Sequence, residues 1–178
     1  MHRPDWAQAR TAVAESATLA IACLVTYLLV TKVLTRVHSV SPDDDLLGGM
    51  WAVIATAFVI RSSYEQSRTA AVSRMAATFV SFVYCLIYLA LSPFHIWALP
   101  LLIGVSALTA TLIGRPGDAL TAAITTTVVL VVAAVSPHDA WQQPILRFAD
   151  TVVGVAVGLA AAWLDQRAIR PRLQQAKR

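Results

Sequence analysis

The chain has 178 residues, of which 57% are hydrophobic and only 13% are charged. An ordinary globular domain carries about 25% charged residues, so this composition is typical of an integral membrane protein and leaves no room for a soluble catalytic domain. The formal net charge of +4 does not indicate nucleic acid as a partner. The basic residues stand at the ends of apolar runs and do not form one patch.

Apolar runs separated by polar turns predict an all-α integral membrane protein with six transmembrane helices. The first run is too long for the ~7–15-residue core of a signal peptide, so we expect a retained span. The second run begins with Gly48 and Gly49, which allow either close helix packing or a broken, re-entrant segment. The predicted spans are 11–34, 46–60, 74–91, 94–114, 119–135 and 145–164.

The turns between these runs carry recognisable signals. Residues 41–45, Ser-Pro-Asp-Asp-Asp, predict a helix start, and residues 61–68 predict a polar loop. Pro100 lies either in the first turn of the fourth helix or at a kink. Asp118 is predicted to cap the N-terminus of the fifth helix. Residues 165–178 are predicted to form a basic cytoplasmic tail.

The sixth span contains a carboxylate. After Arg147, Asp150 is the only charged side chain for about 17 residues, close to the shortest length that crosses a ~30 Å hydrocarbon core. Asp150, Gly154, Gly158 and Ala162 follow one another at steps of four, so they share one face of the helix. The three small residues predict a helix-packing surface of the GxxxG type, which turns Asp150 toward the interior of a bundle.

The start of the third span repeats the start of the sixth. Moving the chain by 73 positions (147 − 74) places Arg74 on Arg147, Thr78 on Thr151 and Ser81 on Gly154. We interpret this as an internal repeat with halves of about 11–92 and 93–168. Because three spans per half is an odd number, the second half enters the membrane from the opposite side, which predicts a 3+3 inverted repeat.

The distribution of basic residues predicts the orientation. Six spans place both termini on one side, and with the termini inside only Lys32, Arg36 and Arg147 of the 14 Lys and Arg residues lie outside. Basic residues concentrate on the cytoplasmic side of membrane proteins. The sequence therefore predicts a multi-pass protein of the bacterial inner membrane with both termini cytoplasmic.

The repeated segment resembles a motif of the fusaric acid resistance and aromatic acid exporter group, which is related to plant aluminium-activated malate transporters. In that group an Arg-x-x-Gly-Thr-x-x-Gly motif opens the third helix and returns, weakened, in the sixth. Arg74, Thr78 and Ser81 resemble the first copy, with Ala77 and Ser81 in place of its glycines. The segment that starts at Trp51 is also similar to the second helix of the group.

The second copy of the motif is matched by Arg147, Thr151 and Gly154, with Asp150 in place of the first glycine. The resemblance covers about residues 11–168. It implies a six-helix module that exports small organic anions, often aromatic carboxylic acids, or conducts anions.

The candidate substrate-binding residues are Arg74, Thr78, Ser81, Arg147, Asp150 and Thr151. Each has a structural alternative: Arg74 can anchor a helix end, the hydroxyls can bond their own helix backbone, and Asp150 can pair with Arg147. In the functional reading the arginines bind a carboxylate, and Asp150 couples transport to protons. Three further arginines on the cytoplasmic side are predicted to form an electropositive vestibule for anions: Arg61, Arg68 and Arg115.

Three functions remain open from sequence alone. The first is an efflux module for small organic anions, coupled to protons through Asp150. The second is a passive anion channel, and the third is a membrane scaffold or partner subunit, which the small size favours. No motif of an enzyme, metal site or cofactor site is found, so we expect neither enzymatic activity nor a cofactor. Gly154 and Gly158 also suit contacts between chains, and we predict a homodimer in the lipid bilayer, with a separate partner subunit as the alternative.

Overall fold

A computed structural model describes residues 6–33, 42–137 and 140–169. These residues form six α-helices and contain no strand: α1 (Trp6–Leu28), α2 (Pro42–Val59), α3 (Tyr64–Leu91), α4 (Ala98–Leu112), α5 (Ala119–Val135) and α6 (Gln142–Leu164). The all-α prediction is confirmed. Short π-helical turns extend α1 over Leu29–Val33 and α6 over Asp165–Ile169, and a 3-10 turn, Pro116–Asp118, precedes α5. Residues 170–178 of the predicted tail lie outside the described residues.

Four segments of the described chain are long and apolar enough to cross a membrane: Ala12–Val33, Tyr64–Leu91, Pro116–Val135 and Gln142–Arg167. The other two predicted spans correspond to shorter apolar helices, Asp45–Val59 and Ala98–Leu112. Large apolar side chains are exposed along the helices, whereas many of the buried side chains are threonine, serine and alanine. An apolar outside around a small-residue interior is the arrangement that lipid as solvent favours.

The helices group into two compact units. The first unit takes the described residues of Met1–Ala71 and Val153–Arg178, and therefore contains α1, α2, the first turns of α3 and the last turns of α6. The second unit is Val72–Val152, which contains the rest of α3, α4, α5 and the start of α6.

Glycines determine how closely the helices of the first unit approach. α2 runs without interruption through Gly48 and Gly49, so the helix is not broken at these glycines. A Cβ atom at Gly49 would lie 2.6 Å from Cγ2 of Thr31, at the end of α1. At Gly158 of α6, a Cβ atom would lie 3.1 Å from the Cβ of Val59 in α2. Neither site accepts a side chain without displacing a neighbour.

In the second unit, α4 and α5 form the apolar core with the end of α3. The core residues are Cys85, Leu89, Ala98, Leu102, Val129, Leu130 and Ala133. Gly114, with a φ of +80°, ends α4 because it adopts a left-handed conformation that other residues rarely take. Pro100 lies in the first turn of α4, where its missing N–H costs no helical hydrogen bond.

The structure differs from the sequence prediction at the start of α3. Residues 61–68 were expected to form a polar loop, but α3 begins at Tyr64, so Arg68 is helical. The N-terminal side chains help to form this early start. The backbone N–H of Gln66 donates to the hydroxyl of Ser63 at 3.3 Å, and the backbone N–H of Ser67 donates to the carbonyl oxygen of Ser63. A polar sequence can therefore continue a membrane helix beyond its apolar part.

Candidate functional site

One face of α3 carries buried polar side chains in the second unit. Arg74, Thr78 and Ser81 follow one another at helical spacing, and their exposed fractions are 2%, 1% and 0%. The Ser81 hydroxyl lies 2.8 Å from the carbonyl oxygen of Ala122 in α5 and 3.1 Å from that of Ala77 in its own helix. Both contacts are internal to the protein, so Ser81 serves helix packing.

Thr78 differs from the other hydroxyl residues of the motif. Its Oγ1 atom is buried and has no hydrogen-bond partner among the described residues. The hydroxyl of Thr151, at the matching position in α6, donates to the carbonyl oxygen of Arg147 at 2.8 Å. A buried hydroxyl without a partner costs about 1–3 kcal/mol. Thr78 therefore presents a polar atom, one helical turn from Arg74, that the protein interior does not use.

The start of α6 holds a buried ion pair. Nη1 of Arg147 lies 3.2 Å from Oδ2 of Asp150, and the two side chains are 2% and 10% exposed. The pair is separated by three residues and so spans one turn of α6. Each charge makes the burial of the other less costly. From the sequence, pairing with Arg147 was the structural alternative for Asp150, and this geometry agrees with it. The same geometry places a titratable carboxylate next to a buried guanidinium.

Phenylalanine rings bring α6 and α3 together inside the second unit. The ring of Phe148, which follows Arg147, lies 5.1 Å from the ring of Phe82 and 6.2 Å from that of Phe79. The turn of α6 that carries Arg147 thus packs on the turn of α3 that follows Thr78. The internal repeat carries no signal for this contact, because the shift of 73 positions places Phe148 on Met75.

The buried polar residues of α3 and α6 have an excess of positive charge. Arg74 and Arg147 carry two positive charges, and Asp150 carries one negative charge. A formal charge of +1 inside apolar helices favours an anion, and a guanidinium binds a carboxylate with two parallel hydrogen bonds. By charge and by side-chain type, this group suits an anion more than a cation.

The predicted vestibule arginines lie in different surroundings. Arg115 forms an ion pair with Asp118, with 3.3 Å between Nη1 and Oδ2. The other carboxylate oxygen of Asp118 accepts a hydrogen bond from the hydroxyl of Ser73 in α3. Asp118 stands at the predicted N-cap position of α5, but its side chain makes no capping bond. It connects α3 to the turn before α5.

The remaining two vestibule residues belong to the first unit. Arg61 Nη1 donates to the carbonyl oxygens of Ile60, at 3.0 Å, and Ala57, at 3.5 Å. Its positive charge therefore stands at the C-terminal end of α2, where the helix dipole is negative. Arg68 is exposed on α3. The structure thus does not bring the three arginines together within one unit.

The predicted packing residues of α6 meet α2 in the first unit. A Cβ atom at Gly154 would overlap the carbonyl oxygen of Ala52 and lie 2.8 Å from the Cβ of Ala55. Gly158 packs one turn further on, and Ala162 is 5% exposed. Absence of a side chain at Gly154 allows the two backbones to touch.

A pair of hydroxyl groups accompanies this contact in the first unit. The hydroxyls of Thr26 in α1 and Thr56 in α2 lie 2.8 Å apart, and Thr56 Oγ1 donates to the carbonyl oxygen of Gly154 at 3.0 Å. Helices α1, α2 and α6 therefore meet at one buried polar contact.

The second unit contains a corresponding contact. The hydroxyls of Ser106 in α4 and Thr126 in α5 lie 2.9 Å apart, and Thr126 Oγ1 lies 3.1 Å from the Oγ of Ser81 in α3. Ser81 and Gly154 occupy the same position of the repeated motif. In both units, hydroxyls from two consecutive helices meet the small motif residue of a third helix.

Replacing Thr126 with valine should destabilise the protein by about 1–3 kcal/mol, because valine keeps the shape but leaves Ser81 and Ser106 without this partner. Thr127 provides the matched control, since its hydroxyl donates to the carbonyl oxygen of Ala123 in its own helix. Thermal unfolding of the purified variants in detergent measures the difference. Equal melting temperatures for Thr126→Val and Thr127→Val would show that the inter-helix contact contributes nothing.

Buried charged side chains within apolar helices are typical of α-helical membrane proteins that act on ions or charged solutes. Comparison with known families agrees with this class. The family described as fusaric acid resistance protein-like matches residues 38–161, about two thirds of the chain, including both copies of the arginine motif. The chain belongs to this family, a group of membrane transport and resistance proteins. No curated protein and no solved structure matches the chain.

Proposed function

We propose that the protein exports small organic anions, such as aromatic carboxylic acids, through a site formed by α3 and α6. Buried Thr78 carries the proposal, because its hydroxyl has no partner among the described residues although it is 1% exposed. Arg74, one turn away, binds the carboxylate, and Thr78 donates a hydrogen bond to it. Arg61 and Arg115 are left out of the site, since a helix end and Asp118 already engage them.

Arg147 and Asp150 provide the coupling to protons in this proposal. An anion that binds Arg147 competes with the Asp150 carboxylate for the same guanidinium. A carboxylate that reaches Arg147 brings two negative charges to one guanidinium, which favours a protonated Asp150 although Arg74 offsets part of the charge. The proton and the anion then cross together, transport is electroneutral, and the combined concentration gradients of the anion and the proton set its direction. A passive channel would instead carry net charge.

The similarity of two hydroxyl contacts supports the proposed 3+3 inverted repeat. The hydroxyl contact of α1 and α2 at Gly154 corresponds to that of α4 and α5 at Ser81. In this comparison α1 corresponds to α4, α2 to α5 and α3 to α6, which is the order that a repeat requires. With three spans in each half, the two halves enter the membrane from opposite sides.

The orientation with both termini at the cytoplasmic face of a bacterial inner membrane is part of the same proposal. Glu15 near the start of α1, Arg61 after α2 and Asp165 after α6 line one cavity of the first unit. The beginning of α1 and the ends of α2 and α6 are therefore at one end of this unit, as an even number of spans requires. The homodimer and the separate partner subunit stay predictions.

Replacing Thr78 with valine tests the proposed site. We expect at least a ten-fold loss of benzoate flux from vesicles that contain the purified protein, without a loss of stability, because the substitution removes a hydroxyl that the described interior does not use. Flux is measured with a pH-sensitive dye inside the vesicles, and thermal unfolding is measured on the same preparation.

The matched control is Thr69→Val on the exposed face of α3, where the hydroxyl donates only along its own helix to the carbonyl oxygen of Glu65. This variant should transport benzoate at the wild-type rate. Wild-type flux in Thr78→Val would refute the site, whereas benzoate flux with a membrane current and no proton movement would replace the exporter by a channel. A folded wild-type protein that moves no carboxylate would leave the scaffold function.

A further inference from the structure

The C-terminal half of α6 has an exposed side opposite its glycines. Ala156, Ala160, Trp163 and Arg167 follow one another at steps of four, three and four, and all four are exposed. Gly158, by contrast, packs on Val59 of α2. Because the segment Gln142–Arg167 is long and apolar enough to cross a membrane, the exposed side of α6 lies against lipid.

Arg167 and Trp163 form the polar end of this exposed side. The Cζ atom of Arg167 lies 4.5 Å from the centre of the Trp163 ring, which is the geometry of a cation–π interaction. Stacking on the ring covers one face of the guanidinium, and the N–H groups in the plane of the guanidinium stay accessible. Neither side chain makes a hydrogen bond or an ion pair within the described part of the chain. The pair therefore presents unused donors next to an aromatic ring.

A phosphate ester that carries hydrocarbon chains matches these groups. The guanidinium fork binds two phosphate oxygens, and tryptophan prefers the headgroup level of a bilayer, where its N–H reaches a polar partner. Ala156 lies 11 residues (167 − 156) before Arg167. At ~1.5 Å per residue this distance is about 16 Å, roughly half of a ~30 Å hydrocarbon core. An acyl chain beneath a phosphate at Arg167 thus follows the exposed side of α6 through one leaflet.

The charge at this end of α6 favours an anionic lipid over a zwitterionic one. Arg167 is the first of five basic residues in the stretch 166–178, which contains no acidic residue. Asp165, just before this stretch, is 9% exposed and lines the cavity of the first unit. Clusters of Lys and Arg next to a membrane helix attract anionic headgroups, whereas a zwitterionic headgroup adds a positive charge of its own.

We propose that Arg167 and Trp163 bind the headgroup of an anionic phospholipid at the C-terminal end of α6. The guanidinium binds the phosphate oxygens, the indole N–H donates to the headgroup, and an acyl chain lies along Ala160 and Ala156. The inference is independent of the proposed anion transport, because it rests on lipid-facing residues of the first unit and on a ligand that is not transported.

Native mass spectrometry of the full purified chain in detergent tests this proposal. The chain is titrated with dioleoyl phosphatidylglycerol, which is anionic, or with dioleoyl phosphatidylcholine, which is zwitterionic. We expect the anionic lipid to bind about ten-fold more tightly. Arg167→Gln should weaken its binding about five-fold, and Trp163→Leu about two- to five-fold, without changing the binding of phosphatidylcholine. Because both side chains are exposed, the variants should unfold at the wild-type temperature in lipid-free detergent.

The matched control is Arg68→Gln, the same chemical change at an exposed arginine of α3 that no described ring covers. This variant should bind phosphatidylglycerol as the wild type does. Equal weakening by Arg68→Gln would show that affinity follows net charge alone and would overturn the site, as would equal affinity of the wild type for the two lipids. Glycerol phosphate, the headgroup without acyl chains, should not displace the lipid at equal concentration. Displacement would overturn the assignment of a lipid as the ligand.

Discussion

Gly154→Ala should destabilise the protein by about 3 kcal/mol, one of the largest effects expected of a single methyl group. The new Cβ atom would overlap the carbonyl oxygen of Ala52 and lie 2.8 Å from the Cβ of Ala55. Backbone atoms cannot rotate away, so α6 must move from α2. That movement also strains the hydrogen bond from Thr56 to the Gly154 carbonyl oxygen. The thermal midpoint in detergent should fall by about 6–12 °C.

Gly104 in α4 provides the control for this prediction. No described atom lies within 4 Å of a Cβ built at Gly104. Gly104→Ala should therefore leave the melting temperature unchanged or raise it, since alanine favours a helix over glycine by up to ~1 kcal/mol. If Gly154→Ala and Gly104→Ala have the same melting temperature, the contact between α2 and α6 does not limit the stability of the protein.

Arg147→Met is expected to cost about 3–5 kcal/mol, because it leaves the Asp150 carboxylate buried without this guanidinium. The methionine side chain has a similar length, so loss of charge and not loss of volume dominates. Adding Asp150→Asn removes the remaining charge and should recover most of the lost stability. Chemical or thermal unfolding of the two single variants, the double variant and the wild type gives the coupling energy.

The second Arg–Asp pair of the chain is a close control. Arg115 and Asp118 have the same spacing, but the Arg115 side chain is 42% exposed. Exposed ion pairs contribute about 0–1 kcal/mol, so Arg115→Met should cost much less than Arg147→Met. Equal losses would mean that burial does not strengthen the pair in α6. If the effects of Arg147→Met and Asp150→Asn on the free energy of unfolding simply add in the double variant, the two side chains do not form an ion pair.

Local sequence patterns were enough to predict the class of the protein and the surface of α6 that carries its glycines. Long apolar runs predict membrane helices because lipid imposes their length and composition. The early start of α3 was missed, because the search for spans follows hydropathy and the first turns of α3 are polar. Hydrogen bonds of Ser63 with the turn above it extend this helix without any apolar pattern.

Contacts between distant helices were not accessible from the sequence. Thr26 and Thr56 are 30 residues apart, and nothing in their own segments distinguishes them from threonines that bond their own helices. Asp118 was expected to cap a helix, but its carboxylate is engaged by Ser73, 45 residues earlier, and by Arg115. Thr78 stood out in the motif, yet its lack of a partner among the described residues is visible only in three dimensions.

α4 has a consequence for the surrounding lipid. With 15 residues and ~1.5 Å per residue, it is about 22 Å long, several ångström shorter than a ~30 Å hydrocarbon core. Trp97, exposed at its start, is a side chain that prefers the headgroup level. In a six-span arrangement, hydrophobic mismatch would make the acyl chains beside α4 compress. A thin bilayer would then suit the protein best, and acyl-chain length would be a variable that controls its stability.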